Sequence, residues 1–342
     1  MAGGPIIRTE ALERRFGDVE ALKGIDLEVD AGSVRGLLGP NGAGKTTSVR
    51  ILTTLLLPTA GRAEVDGLDV VKDAEELRYR IGLAGQSAAV DENLTGLENL
   101  EMVGRLYGLP KDEARKRSGE ILERFQLSDA SDRQAKTYSG GMRRRLDVAS
   151  SLVGRPDILF LDEPTTGLDP RSRVDVWAFV RELQADGTTI LLTTQYLEEA
   201  DQLADQITVV DVGKIIAEGT SDQLKDQIGG EVLELTVEDT AQTWAAAEAL
   251  NGIGTGAPKV DVDEGRIRVP VGNEGAEALR DSSRRLDEQK IKLSGFAVHR
   301  PTLDDVFMAL TGHSAEDGQE PEQPEKKKRG RRGRKDKEME SA

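Results

Sequence analysis

"GPNGAGKTT", residues 39–47, decides how the rest of the chain is read. It follows the strand-like run "VRGLL" and opens the helically spaced "KTTSVRILTTLL". The pattern G-x-x-x-x-G-K-[ST] is that of a phosphate-binding loop. Gly39, Gly42 and Gly44, with Asn41 between them, let successive backbone N–H groups turn inward around a phosphate chain without interference from Cβ atoms. The helix opening at Lys45 adds its positive end. In this pattern Lys45 reaches the β- and γ-phosphates, and the hydroxyl of Thr46, next to Thr47, sits on Mg²⁺.

Around the loop, from Ile6 to about Gly229, strand-like and helix-like segments alternate. That order predicts a mostly parallel sheet covered on both faces. "GIDLEVDAGSVRGLLGP" reads as two strands joined by a tight Asp30–Gly32 turn, so the first strands are expected to be antiparallel. "LRYRIGLAGQ" reads as a strand entering a loop, and Thr95 to Leu127 as helix broken at Pro110. "DILFLDEP" is a short buried-type strand, followed by a helix from Pro170, the strand "TTILLTT" and a helix from Tyr196.

Asp162 and Glu163 end the apolar strand "ILFLDEP". On their own they could be a helix-capping pair on a solvated loop. Beside a phosphate loop, Asp162 suits the acidic position that holds Mg²⁺. Glu163 would then project near the γ-phosphate, placed to polarise an attacking water. Gln195 stands at the end of "TTILLTT", where α/β sheets put their chemistry, yet its amide does not titrate.

The formal charge of −16 over 342 residues argues against a general nucleic-acid binder. Cysteine is absent, which excludes disulfides, a thiol nucleophile and Cys-based metal sites. The opening "MAGGPIIRTEALERRF" lacks the pattern of a signal peptide, and no window approaches 18 consecutive apolar residues. Any membrane role is therefore expected through a partner.

The block "YSGGMRRRLDVASSLVGRPDILFLDEPTTGLDP", residues 138–170, joins a Ser-Gly-Gly motif, a helix, the acidic strand and a Gly-Leu-Asp loop in one order. With the phosphate loop upstream, it resembles the nucleotide-binding subunit of ABC transporters over roughly residues 5–230. The resemblance implies an α/β P-loop NTPase domain with an antiparallel β subdomain and a helical subdomain. It implies binding and hydrolysis of ATP with Mg²⁺. Ser139, Gly140 and Gly141 match the signature that meets the γ-phosphate bound to the other subunit, so the chain would form a homodimer with ATP sandwiched between copies. Tyr138 and Met142 depart from the commoner ends of that motif. Gln86 matches the loop that senses Mg²⁺ and nucleotide and couples to the membrane partner. Asp169 matches the loop at the dimer interface. Phe16 matches the aromatic that stacks on adenine; read without the resemblance, it is a core aromatic.

At Gln195 the family usually has a histidine that hydrogen-bonds the γ-phosphate. The chain's two histidines, His299 and His313, lie far downstream. A glutamine can still donate a hydrogen bond, but it does not exchange a proton near neutral pH. Glutamine in "TTQYLEEADQLAD", together with "PTLDDVFMALTG", is similar to the daunorubicin-resistance type of exporter ATPase. That type pairs with a separate transmembrane permease and exports antibiotics or other hydrophobic compounds. The implied place is the cytoplasmic face of the membrane, peripherally bound. The other class of function is a soluble ATPase of this superfamily acting on ribosomes or nucleic acid. No long heptad stretch or second ATPase unit supports it, and no nucleic-acid partner is expected.

Three units are expected: residues 1–229 as the ATP-binding domain, 230–313 as an accessory α+β domain, and 314–342 as a disordered charged tail. The second reads β-α-β-β-α-β, either a ferredoxin-like unit or a less regular extension. It closes with the amphipathic "PTLDDVFMAL". The basic block of the tail could touch anionic lipid or RNA, or simply be solvated.

Overall fold

The computed structural model describes residues 4–86, 89–227, 230–272 and 274–311. The charged tail lies outside them. Strands β1 (Ile7–Phe16) and β2 (Val19–Val29) form a hairpin. β3 (Val34–Leu38) runs into the glycine loop and α1 (Lys45–Leu52). Then follow β4 (Ala60–Val65), β5 (Leu68–Asp69), α2 (Ala74–Leu77) and β6 (Ile81–Ala84). A helical group comprises α3 (Gly96–Leu106), α4 (Lys111–Arg124) and α5 (Gly140–Ser151). The chain returns through β7 (Ile158–Asp162), α6 (Pro170–Ala185), β8 (Thr189–Thr194), α7 (Leu197–Leu203), β9 (Gln206–Asp211), β10 (Lys214–Gly219) and α8 (Ser221–Asp226).

Two sheets result. One is antiparallel, in the order β2-β1-β4-β5. The other runs β10-β9-β3-β8-β7-β6 and is parallel except at its β10 edge. This corrects the reading of Asp30–Gly32 as a hairpin turn. β2 and β3 are consecutive but lie in different sheets, because β3 pairs on both sides with parallel strands, β8 and β9. The burial pattern agrees: β2 alternates at its end, whereas four of the five β3 residues are buried. Arg78–Arg80 is turn rather than strand, and β6 begins only at Ile81.

Local signals set the helix ends. Thr95 and Glu98 form a reciprocal capping box at α3. Ser139 caps α5, and Asp169 caps α6 with Pro170 at its first position. One apolar core, including Ile51, Leu52, Phe160 and Leu191, joins α1 to both sheets. A second, including Leu100, Leu122, Leu146 and Leu161, joins the helical group to the parallel sheet.

Beyond Gly230 come β11 (Glu231–Val237), α9 (Thr243–Ala249), β12 (Lys259–Asp261), β13 (Arg266–Gly272), α10 (Gly275–Glu288) and β14 (Leu293–His299). The sheet order β12-β13-β11-β14, antiparallel throughout, is the ferredoxin-like one of the two alternatives. The closing helix α11 (Leu303–Thr311) does not complete this unit's core. Leu303, Val306 and Phe307 pack instead with Leu38, Ala200, Ile207, Val209 and Leu224 of the first domain. Arg268 on β13 ties the small sheet to this helix, with Nη1 3.3 Å from Asp304 and 3.7 Å from Asp305.

Candidate functional site at the strand ends

β3, β8 and β7 are parallel neighbours, so their carboxyl ends open on the same edge. Ligands of open α/β sheets bind at that edge. There the structure brings together the glycine loop, Asp162, Glu163, Gln86 and the segment around Gln195.

The loop needs its glycines for two different reasons. Gly44, which precedes α1, has φ 111°, a left-handed conformation. At Gly39 a Cβ would stand 2.1 Å from the carbonyl oxygen of Val210 on β9. Lys45 Nζ donates to the carbonyls of Gly39 and Pro40 at 2.7 and 3.0 Å and lies 3.4 Å from Glu163 Oε1. Burial pushes its ammonium below the usual lysine value, against the opposing pull of Glu163. Asn41 and Gly42 are exposed on the loop, and Thr47 is half-buried on α1.

Thr46 Oγ1 donates to Asp162 Oδ1 at 3.1 Å, and Thr193 Oγ1 donates to the same oxygen at 2.6 Å. The hydroxyl and carboxylate thus form an all-oxygen donor set, the kind that Mg²⁺ takes. Asp162 and Glu163 are 3 % and 5 % exposed, which rules out a capping pair on a solvated loop. Glu163 has φ 50°, uncommon for a residue with a side chain. Its N–H is held by the Thr193 carbonyl at 3.1 Å and the Thr193 hydroxyl at 3.0 Å. Its Oε2 accepts from Gln86 Nε2 at 3.2 Å and from Thr166 Oγ1 at 3.3 Å. A left-handed backbone over-determined in this way is typical of functional sites.

Arg144 on α5 holds this turn from behind. It donates to the carbonyls of Asp162 and Glu163 at 3.1 Å each, to Pro164 at 2.7 Å and to Gly85 at 2.5 Å. It also pairs with Asp147 at 3.0 Å. Asp147 in turn accepts from the N–H of Ala89 at 2.8 Å. Burial pushes the Asp147 carboxyl up, and the Ala89 N–H and Arg144 oppose that. Sequence reasoning missed Arg144 because it stands in "RRR", and nothing in the run marks the middle arginine as buried. Thr193 was missed too, although a hydroxyl inside an apolar strand was a usable signal.

Gln195 is half-buried, and among the described residues its side chain makes no hydrogen bond. Phe16 is 46 % exposed at the end of β1, with the Arg14 guanidinium 4.6 Å from its ring centroid, so it is not a core aromatic. Ser139 caps its own helix by accepting from Met142 N–H at 3.2 Å. No hydrogen bond or ion pair among the described residues joins Ser139, Gly140 or Gly141 to the glycine loop. A Cβ on Gly141 would stand 2.6 Å from the Ser172 hydroxyl, and Ser172 also bonds Asp169 at 2.9 and 3.0 Å. Asp169 is exposed, and the Ser172 bonds hold its carboxyl below the usual range.

The parallel sheet, glycine loop and buried acidic strand end define a P-loop nucleotide-binding cassette. The ABC transporter family model matches residues 22–166, and a model for the DrrA1-3-like ATP-binding protein C-terminal domain matches residues 219–311. The daunorubicin resistance ATP-binding protein DrrA2 of Streptomyces coeruleorubidus is 53% identical over 92% of this chain and 97% of its own. The daunorubicin/doxorubicin resistance ATP-binding protein DrrA of Streptomyces peucetius is 51% identical over 91% and 94%. The linearmycin resistance ATP-binding protein LnrL of Bacillus subtilis is 33% identical over 91% and 100%. Among solved structures, cbiO1 from Clostridium perfringens, part of an ABC transporter complex, has a TM-score of 0.61 at 29% identity, over 66% of this chain and 94% of that one. A dimeric post-hydrolysis ATP-binding cassette bound to ADP and Pi has a TM-score of 0.58 at 26% identity, over 63% and 98%. The chain belongs to the ABC transporter ATP-binding proteins of the daunorubicin-resistance type. It is accordingly an ABC-type ATPase that uses ATP and Mg²⁺.

Proposed function

We propose that this chain is the ATP-hydrolysing motor of an exporter that moves antibiotics or other hydrophobic compounds through a separate membrane permease. The observation that carries the reading is the convergence of Lys45, Thr46, Asp162, Glu163 and Gln86 at one sheet edge. The names of the relatives supply the class of cargo.

In this reading Lys45 and the N–H groups of the glycine loop, from Gly39 to Thr47, hold the β- and γ-phosphates. Thr46, Asp162 and Gln86 hold Mg²⁺, which supplies charge neutralisation when bound. Glu163 orients and polarises the attacking water, and Gln195 donates a hydrogen bond to the γ-phosphate. Phe16 stacks on adenine. Ser139, Gly140 and Gly141 of one copy close on the nucleotide of a second copy, with Asp169 at the contact, so that the working unit is a homodimer.

No helix among the described residues is long and apolar enough to cross a membrane. The family resemblance supports a peripheral place on the cytoplasmic face, through a permease. Tyr79, Met102 and Leu106 are exposed apolar residues, and a cleft lined by Glu75, Arg78, Tyr79, Leu106 and Tyr107 lies among them. Tyr79 and Gln86 flank the short strand β6, so a partner on this face would sense the nucleotide site through one strand. The domain division is read as cassette, ferredoxin-like unit and tail, with α11 returning to the cassette. Capture of the Glu163→Gln variant from native membranes with ATP tests the whole. A multi-span membrane protein should co-purify; recovery of ribosomes or nucleic acid instead would contradict the exporter reading.

A further inference from the structure

Glu199 lies on α7, four residues after Gln195, and is fully buried. Its Oε1 accepts from Trp177 Nε1 on α6 at 3.1 Å. The hydroxyls of Thr194 and Thr165 face the same carboxyl. Glu199 Oε2 and Thr165 Oγ1 are buried with no partner at hydrogen-bond distance. Thr194 is the residue before Gln195, and Thr165 lies on the segment that leads from Glu163 to Asp169. The carboxyl therefore stands between the two loops that would meet nucleotide and second copy.

A second contact spans the same gap. The Arg173 guanidinium on α6 lies 4.4 Å from the ring centroid of Tyr196, the residue after Gln195. Arg173 Nε also donates to the Leu168 carbonyl at 3.3 Å, next to Asp169. Further along, Arg181 on α6 donates to the Gln202 carbonyl on α7. α6 is thus joined at three levels to α7 and the residue that precedes it, and Glu199 is the buried contact.

We propose that Glu199 is a positioning residue for hydrolysis, a neutral carboxylic acid that locks the Gln195 loop to the segment carrying Asp169. The proposal rests on the reading of Gln195 and Asp169 given above. The charged groups around Glu199 are Arg173 on α6 and Arg144 on α5, and neither forms an ion pair with it among the described residues. An ionised carboxylate without such a pair is costly in a dry interior. Burial accordingly drives this carboxyl above the usual range, opposed by the nearby Thr194 and Thr165 hydroxyls, the Trp177 hydrogen bond and Arg173. As an acid, Glu199 can also donate, which a carboxylate cannot. A closure that brings Asp169 to a second copy would then set Gln195 at the same time.

The test uses the full chain and the variants Glu199→Gln, Glu199→Ala and Gln195→Ala. Glu199→Gln keeps a neutral group that can donate and accept. It should retain kcat within about twofold at neutral pH, whereas Glu199→Ala should lose about tenfold in kcat with the KM for ATP unchanged. Folded Glu199 keeps a proton that the unfolded chain releases. Wild-type stability should therefore fall relative to Glu199→Gln as pH rises from 5 to 8. A Tm difference that grows with pH supports the neutral acid. A flat difference overturns it, as does a Glu199→Gln variant as slow as Glu199→Ala. If Glu199→Ala does not fold, the Glu199→Gln pair of measurements still decides. Undiminished hydrolysis by Gln195→Ala would mark the underlying reading of that residue as the failure. A slow Gln195→Ala beside an unaffected Glu199→Ala would sink this proposal alone.

Discussion

The ends of β7 and β8 lie side by side, yet they are built differently. At β7, Asp162 and Glu163 are buried and held by Thr46, Thr193, Thr166, Gln86, Lys45 and Arg144. At β8, Gln195 is half-buried with its side chain unbonded among the described residues. In the proposed mechanism the difference separates two tasks. A carboxylate that must polarise water at one point needs a fixed turn, and the left-handed Glu163 is pinned accordingly. A residue that meets phosphate only when nucleotide is bound needs freedom, with rigidity supplied one step behind it, at Thr194 and Glu199.

The largest expected effect is at the fixed end. Glu163→Gln preserves shape and removes the proposed base, so kcat should fall roughly 10²- to 10⁴-fold with ATP binding retained. Steady-state hydrolysis beside equilibrium nucleotide binding checks both. Next is Arg144→Met, which strips the carbonyls of Asp162 and Glu163 of their donor and leaves Asp147 buried without its pair. Thermal unfolding should show a loss of about 3–5 kcal/mol. An unchanged Tm would mean that the β7 end does not depend on α5.

The loose end should respond less. Gln195→Ala should slow hydrolysis about 10- to 100-fold, the worth of one hydrogen bond to a charged group, roughly 1.5–3 kcal/mol. Gln195→His sharpens the comparison, because it introduces a group that titrates near neutrality. A pH–rate profile identical to that of wild type would count against contact with the phosphate. The smallest effect belongs to Phe16→Ala at the rim. Loss of one stacked ring should weaken ATP binding several-fold, about 0.5–1.5 kcal/mol, with kcat unchanged at saturation.

Much of this is legible in short motifs. "GPNGAGKTT" and "ILFLDEP" carry their chemistry in residue type and order, so the letters alone locate the loop and the strand end with its acidic pair. The βαββαβ order after Gly230 is legible too, but only the pairing of its strands decides between a ferredoxin-like unit and a less regular extension. What stays hidden depends on contacts far apart in sequence. The Asp30–Gly32 connection looks like a hairpin turn, and only the parallel neighbours of β3 show that it crosses between sheets. "PTLDDVFMAL" shows its apolar face, but which domain receives that face is decided by Leu38, Ile207 and Leu224. Arg144 and Glu199 are charged letters in charged stretches, and burial alone distinguishes them.

The central claim is that two copies of this chain close over nucleotide. The most direct measurement is the solution mass of the Glu163→Gln variant, by light scattering, with and without MgATP. The account predicts a monomer alone and a dimer with ATP, reversed when Ser139 is also changed to a bulky acidic residue. A mass that stays monomeric at saturating ATP would contradict it.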